Sequence, residues 1–199
     1  MTSHSLTITF NSSLHHGSGF GLSGLIDRAV LRDGAGIPYL AGSAIKGKLR
    51  HASLRVLLSE TKPVCHTGDG NPGCAGTGVC ALCLLFGSPR REGSLFFTDA
   101  YPAGDTARLI EELTHLPRLG GLHRDSTTRA RTSIDRKLGT VRPRLLFSTE
   151  VLPEFLVFES EIHGNMGPHL ELLFKACRVV TNFGADGARG LASISTLPR

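Results

Sequence analysis

The 199-residue sequence has no tryptophan and only two tyrosines, and aromatics make up 6% of it. With so few flat side chains and no interleaved aromatic string, base stacking is not expected to dominate any contact with single-stranded nucleic acid. Long apolar runs are also missing. The longest, Val79 to Phe86, falls far short of the ~20 residues a membrane-spanning helix needs. The opening MTSHSLTITF has no basic n-region and no apolar h-region, which excludes a standard secretory signal. The signatures of self-contained hydrolases are absent too: there is no H-E-x-x-H, no paired-carboxylate motif and no H-x-H cluster. Gly19–Gly24 matches G-x-G-x-x-G, but residues 25–33 read as extended chain where a dinucleotide site needs a helix. Ser43-Ala-Ile-Lys46 matches S-x-x-K, without the S-D-N and K-T-G that a serine acyl-enzyme requires.

What is present is a chain with 40% apolar and 20% charged residues, enough for one packed domain over residues 1–199. Five cysteines without an export signal point to a reducing, cytoplasmic setting, where clustered cysteines hold metal more often than they pair. The net charge of +5 is unevenly spread. Residues 118–144 hold eight basic residues, seven of them arginine, against Asp125 and Asp135 alone. The rest of the chain is close to neutral. Guanidinium forks match phosphate oxygens, so this window reads as a surface for a polyanion, with a solvated loop as the competing reading.

The periodicity gives the organisation. Leu6, Ile8 and Phe10 alternate as one face of a strand, and a glycine-rich loop follows. Ser43 reads as the N-cap of a helix whose buried face is Ile45, Leu49, Ala52 and Val56. Lys46 and Arg50 share another face, and Lys48, His51 and Arg55 a third. Strands are expected at 93–100, 144–149, 155–162 and 191–195, with a helical stretch near 105–116. A further helix opens at Pro168, carries a stripe of Leu170, Leu173, Phe174, Cys177 and Val180, and can end at Gly184. The predicted fold class is α+β: a β-α-β-β-α-β ferredoxin-like core with a cysteine loop over 63–87 and an insertion over about 101–143.

Two constellations carry chemistry. Cys65, Cys74, Cys80 and Cys83 are spaced C-x8-C-x5-C-x2-C among glycines, which suits a closed structural Zn2+ site. A disulfide pair or free core thiols are the competing readings, His66 is a reserve ligand, and Cys177 reads as core. Ser43 and Lys46 at a helix start offer a hydroxyl, an ammonium and free N–H groups: a phosphate cradle, or simply a capped surface helix. Asp27, beside Arg28 after the glycine loop, is either a divalent-metal ligand and base or a turn residue.

The segments GSGFG, LIDRAVLRDGAGIPYLAGSAIKGKLR, LFG, GSLFFTDA, RTSIDRKLGTVRPRLLFSTEVLPEFLVFESEI and FGADGARGLASI occur in the order seen in RAMP-superfamily proteins. The sequence resembles the repeating backbone subunit of type III CRISPR effector complexes, over most of its length. It departs at Ala41, Ala188 and Ala192, where the family carries proline, serine and glycine. The resemblance implies an RRM-like core that stacks with copies of itself or other RAMP subunits along a guide RNA. It also implies a basic thumb that wedges into the guide–target duplex. Asp27 falls where target-cleaving members carry a catalytic aspartate working with Mg2+ or Mn2+. The RNA-binding set would be Ser43, Lys46, Lys48, Arg50, Arg129, Arg131, Arg136 and Arg189. A silent scaffold, or a guide-processing endoribonuclease using His15 or His16, are the other activities such a chain can have.

Overall fold

The computed structural model describes residues 2–21, 24, 26–65, 73–74, 78–187 and 190–198. The main sheet is built from β1 (Thr2–Phe10), β2 (Leu95–Phe97), β6 (Val157–Gly164) and β7 (Ile194–Pro198), in the order β2-β6-β1-β7. A short β3 (Tyr101–Pro102) adds to β6, and every pairing is antiparallel. Alternation decides which side is buried. Leu6, Ile8, Phe10, Phe158 and Ile162 point into the core, and Phe10 meets Phe158 edge to face at 5.7 Å. Glu159 and Glu161, one position out of phase, are exposed on the other face.

Helices α1 (Gly42–Ser59) and α4 (Leu170–Val179) close the core. The expected face of α1 is the buried one, Ile45, Leu49, Ala52 and Val56. On α4 the buried set is Leu172, Leu173, Ala176 and Cys177, so the stripe is rotated from the one expected. Pro168 sits in a 3-10 turn (Gly167–His169) just before α4, and the helix ends at Val179, ahead of Gly184. Gly184 has another use: a Cβ there would lie 2.6 Å from the His15 carbonyl oxygen. Only glycine lets these two loops touch.

The insertion contains α3 (Asp105–Thr114), tied to the sheet where the Val157 N–H donates to Thr106 Oγ1 at 3.0 Å. After it come β4 (Thr127–Ile134) and β5 (Val141–Val151), which pair with each other and with no other strand of the described residues. Two expectations are corrected here. The arginine window contains a strand, β4, and the strand expected at 144–149 is its hairpin partner, not a member of the main sheet. The insertion therefore extends to Val151 and does not end near 143. The reason is compositional: polar residues dominate both faces of β4 and hide its period, and exposed Leu145 and Leu146 on β5 resemble core. The last strand begins at Ile194, after the expected 191. No helix of the described residues is long and apolar enough to cross a membrane.

Candidate nucleic-acid interface

The glycine loop folds back on the extended segment 26–33. Ser18 N–H donates to the Ala29 carbonyl at 3.0 Å, and Ala29 N–H to the Phe20 carbonyl at 2.9 Å. A Cβ at Gly21 would lie 2.5 Å from the Ile26 carbonyl oxygen, so the close return depends on glycine. This return places Asp27 at the surface against the root of the hairpin. Its Oδ2 accepts from the Ser148 N–H at 2.7 Å and the Ser148 hydroxyl at 3.3 Å, while its own N–H donates to the Ser148 carbonyl at 3.1 Å. The carboxylate is thus oriented from β5.

Asp27 lines a cavity of about 580 Å3 together with His15, His16, Phe20, Arg28, Lys48 and Phe183. The two histidines are used differently. His16 Nε2 accepts the Ala41 N–H at 3.3 Å and its ring tilts against Phe183, so it supports the start of α1. Burial, with His15 as neighbour, holds the His16 pKa below its ordinary value. His15 is buried, and its Nδ1 lies 2.7 Å from the Glu150 carbonyl. That oxygen can only accept, so Nδ1 carries a proton and donates it. Lys48 reaches the cavity while donating to Asn182 Oδ1 at 2.8 Å.

A two-stranded hairpin is marginal by itself, and the root of this one is clamped by buried charge. Arg32 donates to both Asp125 oxygens at 2.8 Å and to Glu150 Oε1 at 3.0 Å. Glu150 also accepts from the Ser126 hydroxyl at 2.6 Å and the Val30 N–H at 2.8 Å. Burial opposes the Glu150 charge, but these donors together with Arg32 hold its pKa below the ordinary value. Sequence reading missed this network, since Asp125 and Glu150 carry no local signal and gain meaning only beside Arg32. A second tie joins Arg131 to Asp186, with Arg28 at 4.0 Å from the same carboxylate and its guanidinium over the Phe147 ring.

The predicted RNA contacts therefore divide. Arg136 is exposed in the hairpin turn, and Arg129 is exposed on β4 with a 3.3 Å bond to Ser13 Oγ. Arg131 is spent largely on Asp186. The tip is shaped by Asp135, which accepts the Lys137 and Leu138 N–H groups and pairs with Arg142 at 3.2 Å. Around the basic residues stand exposed Ile134, Leu138, Val141, Leu145 and Leu146. The N-cap expectation for Ser43 is corrected. Ala41 occupies the cap without a side-chain bond, Ser43 is an exposed second helical residue, and the Gly42 N–H donates to Asp99 Oδ1 at 2.7 Å. A carboxylate from a distant loop already occupies part of the expected phosphate cradle. Lys46 and Arg50 are half-buried on α1. Arg189 and His66 lie outside the described residues.

The four cysteines converge. Their sulfurs all lie within 4.8 Å of one another, with Cys65 and Cys83 at 3.0 Å. A tetrahedral ion with bonds of about 2.3 Å needs sulfurs about 3.8 Å apart, so the cluster is of a size that could hold a metal ion. Cys80 caps the short helix α2 (Ala81–Phe86) and Cys83 lies in its first turn, which is how C-x2-C turns two thiols the same way. Burial works against charge on both Cys80 and Cys65. At Cys80 the Cys65 and Cys83 N–H groups outweigh it and bring the thiol down to about 6. Cys65, also hydrogen-bonded to the neighbouring thiols, goes up to about 12. Cys177 is core, pushed up to about 11 by burial.

The RAMP superfamily model matches residues 7–192, and the chain belongs to that superfamily. Among curated proteins no match was found. Solved structures share the fold. A chain of the type III-B Cmr-beta complex in its apo state is 14% identical with a TM-score of 0.65, covering 98% of this chain and 96% of that one. A chain of the same complex bound to cognate target RNA gives 14% identity and a TM-score of 0.68, over 100% and 97%. A chain of a type IV-B CRISPR complex gives 17% and 0.60, over 100% and 90%.

Proposed function

We propose that this protein is a backbone subunit of a CRISPR RNA-guided effector complex, binding guide RNA and presenting Asp27 to the paired target. The observation that carries the reading is convergence: Asp27, Arg28, Lys48 and His15 share one cavity at the root of a projecting basic hairpin. The element order and the sheet order β2-β6-β1-β7 support a ferredoxin-like core beneath it. The exposed sheet face carries Glu159 and Glu161, so the anionic strand belongs on the glycine-loop side. The hairpin is the thumb: Arg129 and Arg136 meet phosphates, and the exposed apolar side chains of its outer half sit against bases. Copies of this chain, or other RAMP subunits, are the partners that extend the groove.

In target cleavage Asp27 acts through the carboxylate oxygen not bonded to Ser148, positioning the attacking 2′-hydroxyl or a divalent ion. Asp27 would hold Mg2+ or Mn2+, and the ion would supply charge neutralisation at the target phosphate. Lys48 and Arg28 hold the phosphate, and the Ser148 bonds keep the carboxylate from turning. The four cysteines would hold a structural Zn2+, which would cross-link Cys65 and Cys74 to Cys80 and Cys83 at the start of α2.

The test is cleavage of complementary target RNA by the assembled complex. Asp27→Ala should abolish Mg2+-dependent cutting and leave guide and target binding within about twofold, since one carboxylate adds little to cationic contacts. Full target binding by the wild type with no cutting in Mg2+ or Mn2+ identifies a scaffold. That second reading is favoured by the Ser148 bonds, which also suit a turn-shaping Asp27. Cutting of guide precursor in EDTA, lost in His15→Ala, would instead identify a processing enzyme.

A further inference from the structure

We infer that Phe20 is a nucleobase-stacking platform beside the Asp27 cavity, taking the base of a nucleotide whose phosphate meets Lys48 and Arg28; this rests on the RNA-binding reading above. Phe20 is 78% exposed, the most exposed large apolar side chain among the described residues. Its exposure is not fraying. The Phe20 carbonyl accepts from Ala29 N–H at 2.9 Å and Ser18 Oγ at 3.1 Å, and its N–H donates to Ser18 Oγ at 3.2 Å. A ring held on a pinned backbone loses little entropy when something stacks on it. Phe20 lines both the cavity of about 580 Å3 and a second of about 660 Å3 that holds Arg118 and His123. Either volume accommodates a nucleotide. Its described loop neighbours are Ser18, Gly19, Gly21 and Gly24. Lys48 and Arg28 line the first cavity beside it, and Arg118 lines the second. A flat ring flanked by cations is the pairing that single-strand binding employs.

The chain has no tryptophan, so Phe20→Trp creates a sole fluorescent reporter. Single-stranded adenosine and uridine homopolymers serve as probes, titrated at several salt concentrations. Stacking predicts quenching of the new tryptophan on RNA addition. It predicts a roughly 5- to 100-fold affinity loss in Phe20→Ala, with the salt slope unchanged and any preference for adenosine removed. Phe20→Tyr should restore affinity, and all three variants should melt with the wild type. Wild-type affinity in Phe20→Ala, or an unquenched tryptophan in a protein that binds RNA, overturns the platform and leaves RNA binding intact. A wild type that binds neither homopolymer at low salt overturns both readings.

Discussion

Glu150 shows how much one side chain can hold together. Its carboxylate joins Arg32, Ser126 and the Val30 N–H, and its carbonyl holds His15. Because its folded pKa lies below the ordinary value, it stabilises the fold fully above the unfolded pKa of about 4.3, and that contribution fades as pH falls through the folded value. Glu150→Gln should cost about 2 kcal/mol at pH 7, the scale of hydrogen bonds to a charged group. It should also flatten the acid limb of a melting-temperature profile below about pH 4.5. Glu60, held at about 2 by its lysine partners, and Asp135 share that limb, so the difference between wild type and variant isolates Glu150. Equal slopes would show that the network is not charged in the folded state. Arg32→Ala should be worse, about 3–5 kcal/mol, because it strands two buried carboxylates. Chemical denaturation would measure it.

At the scale of the element, the hairpin of β4 and β5 separates two kinds of arginine. Arg136 sits exposed in the turn and Arg129 exposed on β4, so each should act on RNA through phosphate neutralisation. Alanine at either should lower the salt slope of RNA binding by about one and leave thermal stability unchanged. Arg131 is an ion-pair partner of Asp186, largely shielded by its surroundings. Arg131→Ala should lower stability by about 1–3 kcal/mol and alter the salt slope less than Arg136→Ala does. Equal salt effects from all three would mean that the Arg131–Asp186 tie opens on RNA. The hairpin owes its orientation to ties at its root, since it pairs with no strand of the main sheet.

For the whole molecule, the cysteine cluster joins a long loop to the helical side of the core, where Leu82, Leu85 and Phe86 of α2 are buried. A closed thiolate site contributes to folding directly. Purified protein should carry one zinc per chain by elemental analysis. Cys80→Ala should lose it and melt about 10 °C lower, the shift expected for roughly 3–4 kcal/mol in a chain of this size. Protein that folds and melts normally without stoichiometric metal would reduce the cluster to free thiols.

Sequence alone determined what depends on local period and spacing. The buried face of α1 follows from Ile45, Leu49, Ala52 and Val56 recurring each turn, and the inward face of β1 from strict alternation. The four cysteines were legible because they fall within 19 residues, and C-x2-C is a spacing that turns two thiols to one ion. Asp27 carries only a weak local signal, a carboxylate beside Arg28 that the resemblance strengthens, since a lone carboxylate in a loop has no period. Tertiary structure alone decided that Asp27 meets Ser148, 121 positions away, that Arg32 binds Asp125 and Glu150, and that Arg131 turns to Asp186. It also decided that the 144–149 strand leaves the main sheet and that Asp99, not Ser43, serves the start of α1. The physical reason is common to all of these. Hydrophobic burial is non-directional and is written as a repeating pattern along the chain. A polar group is satisfied by one partner at one distance, and that partner is chosen by where the folded backbone passes, whatever the separation in sequence.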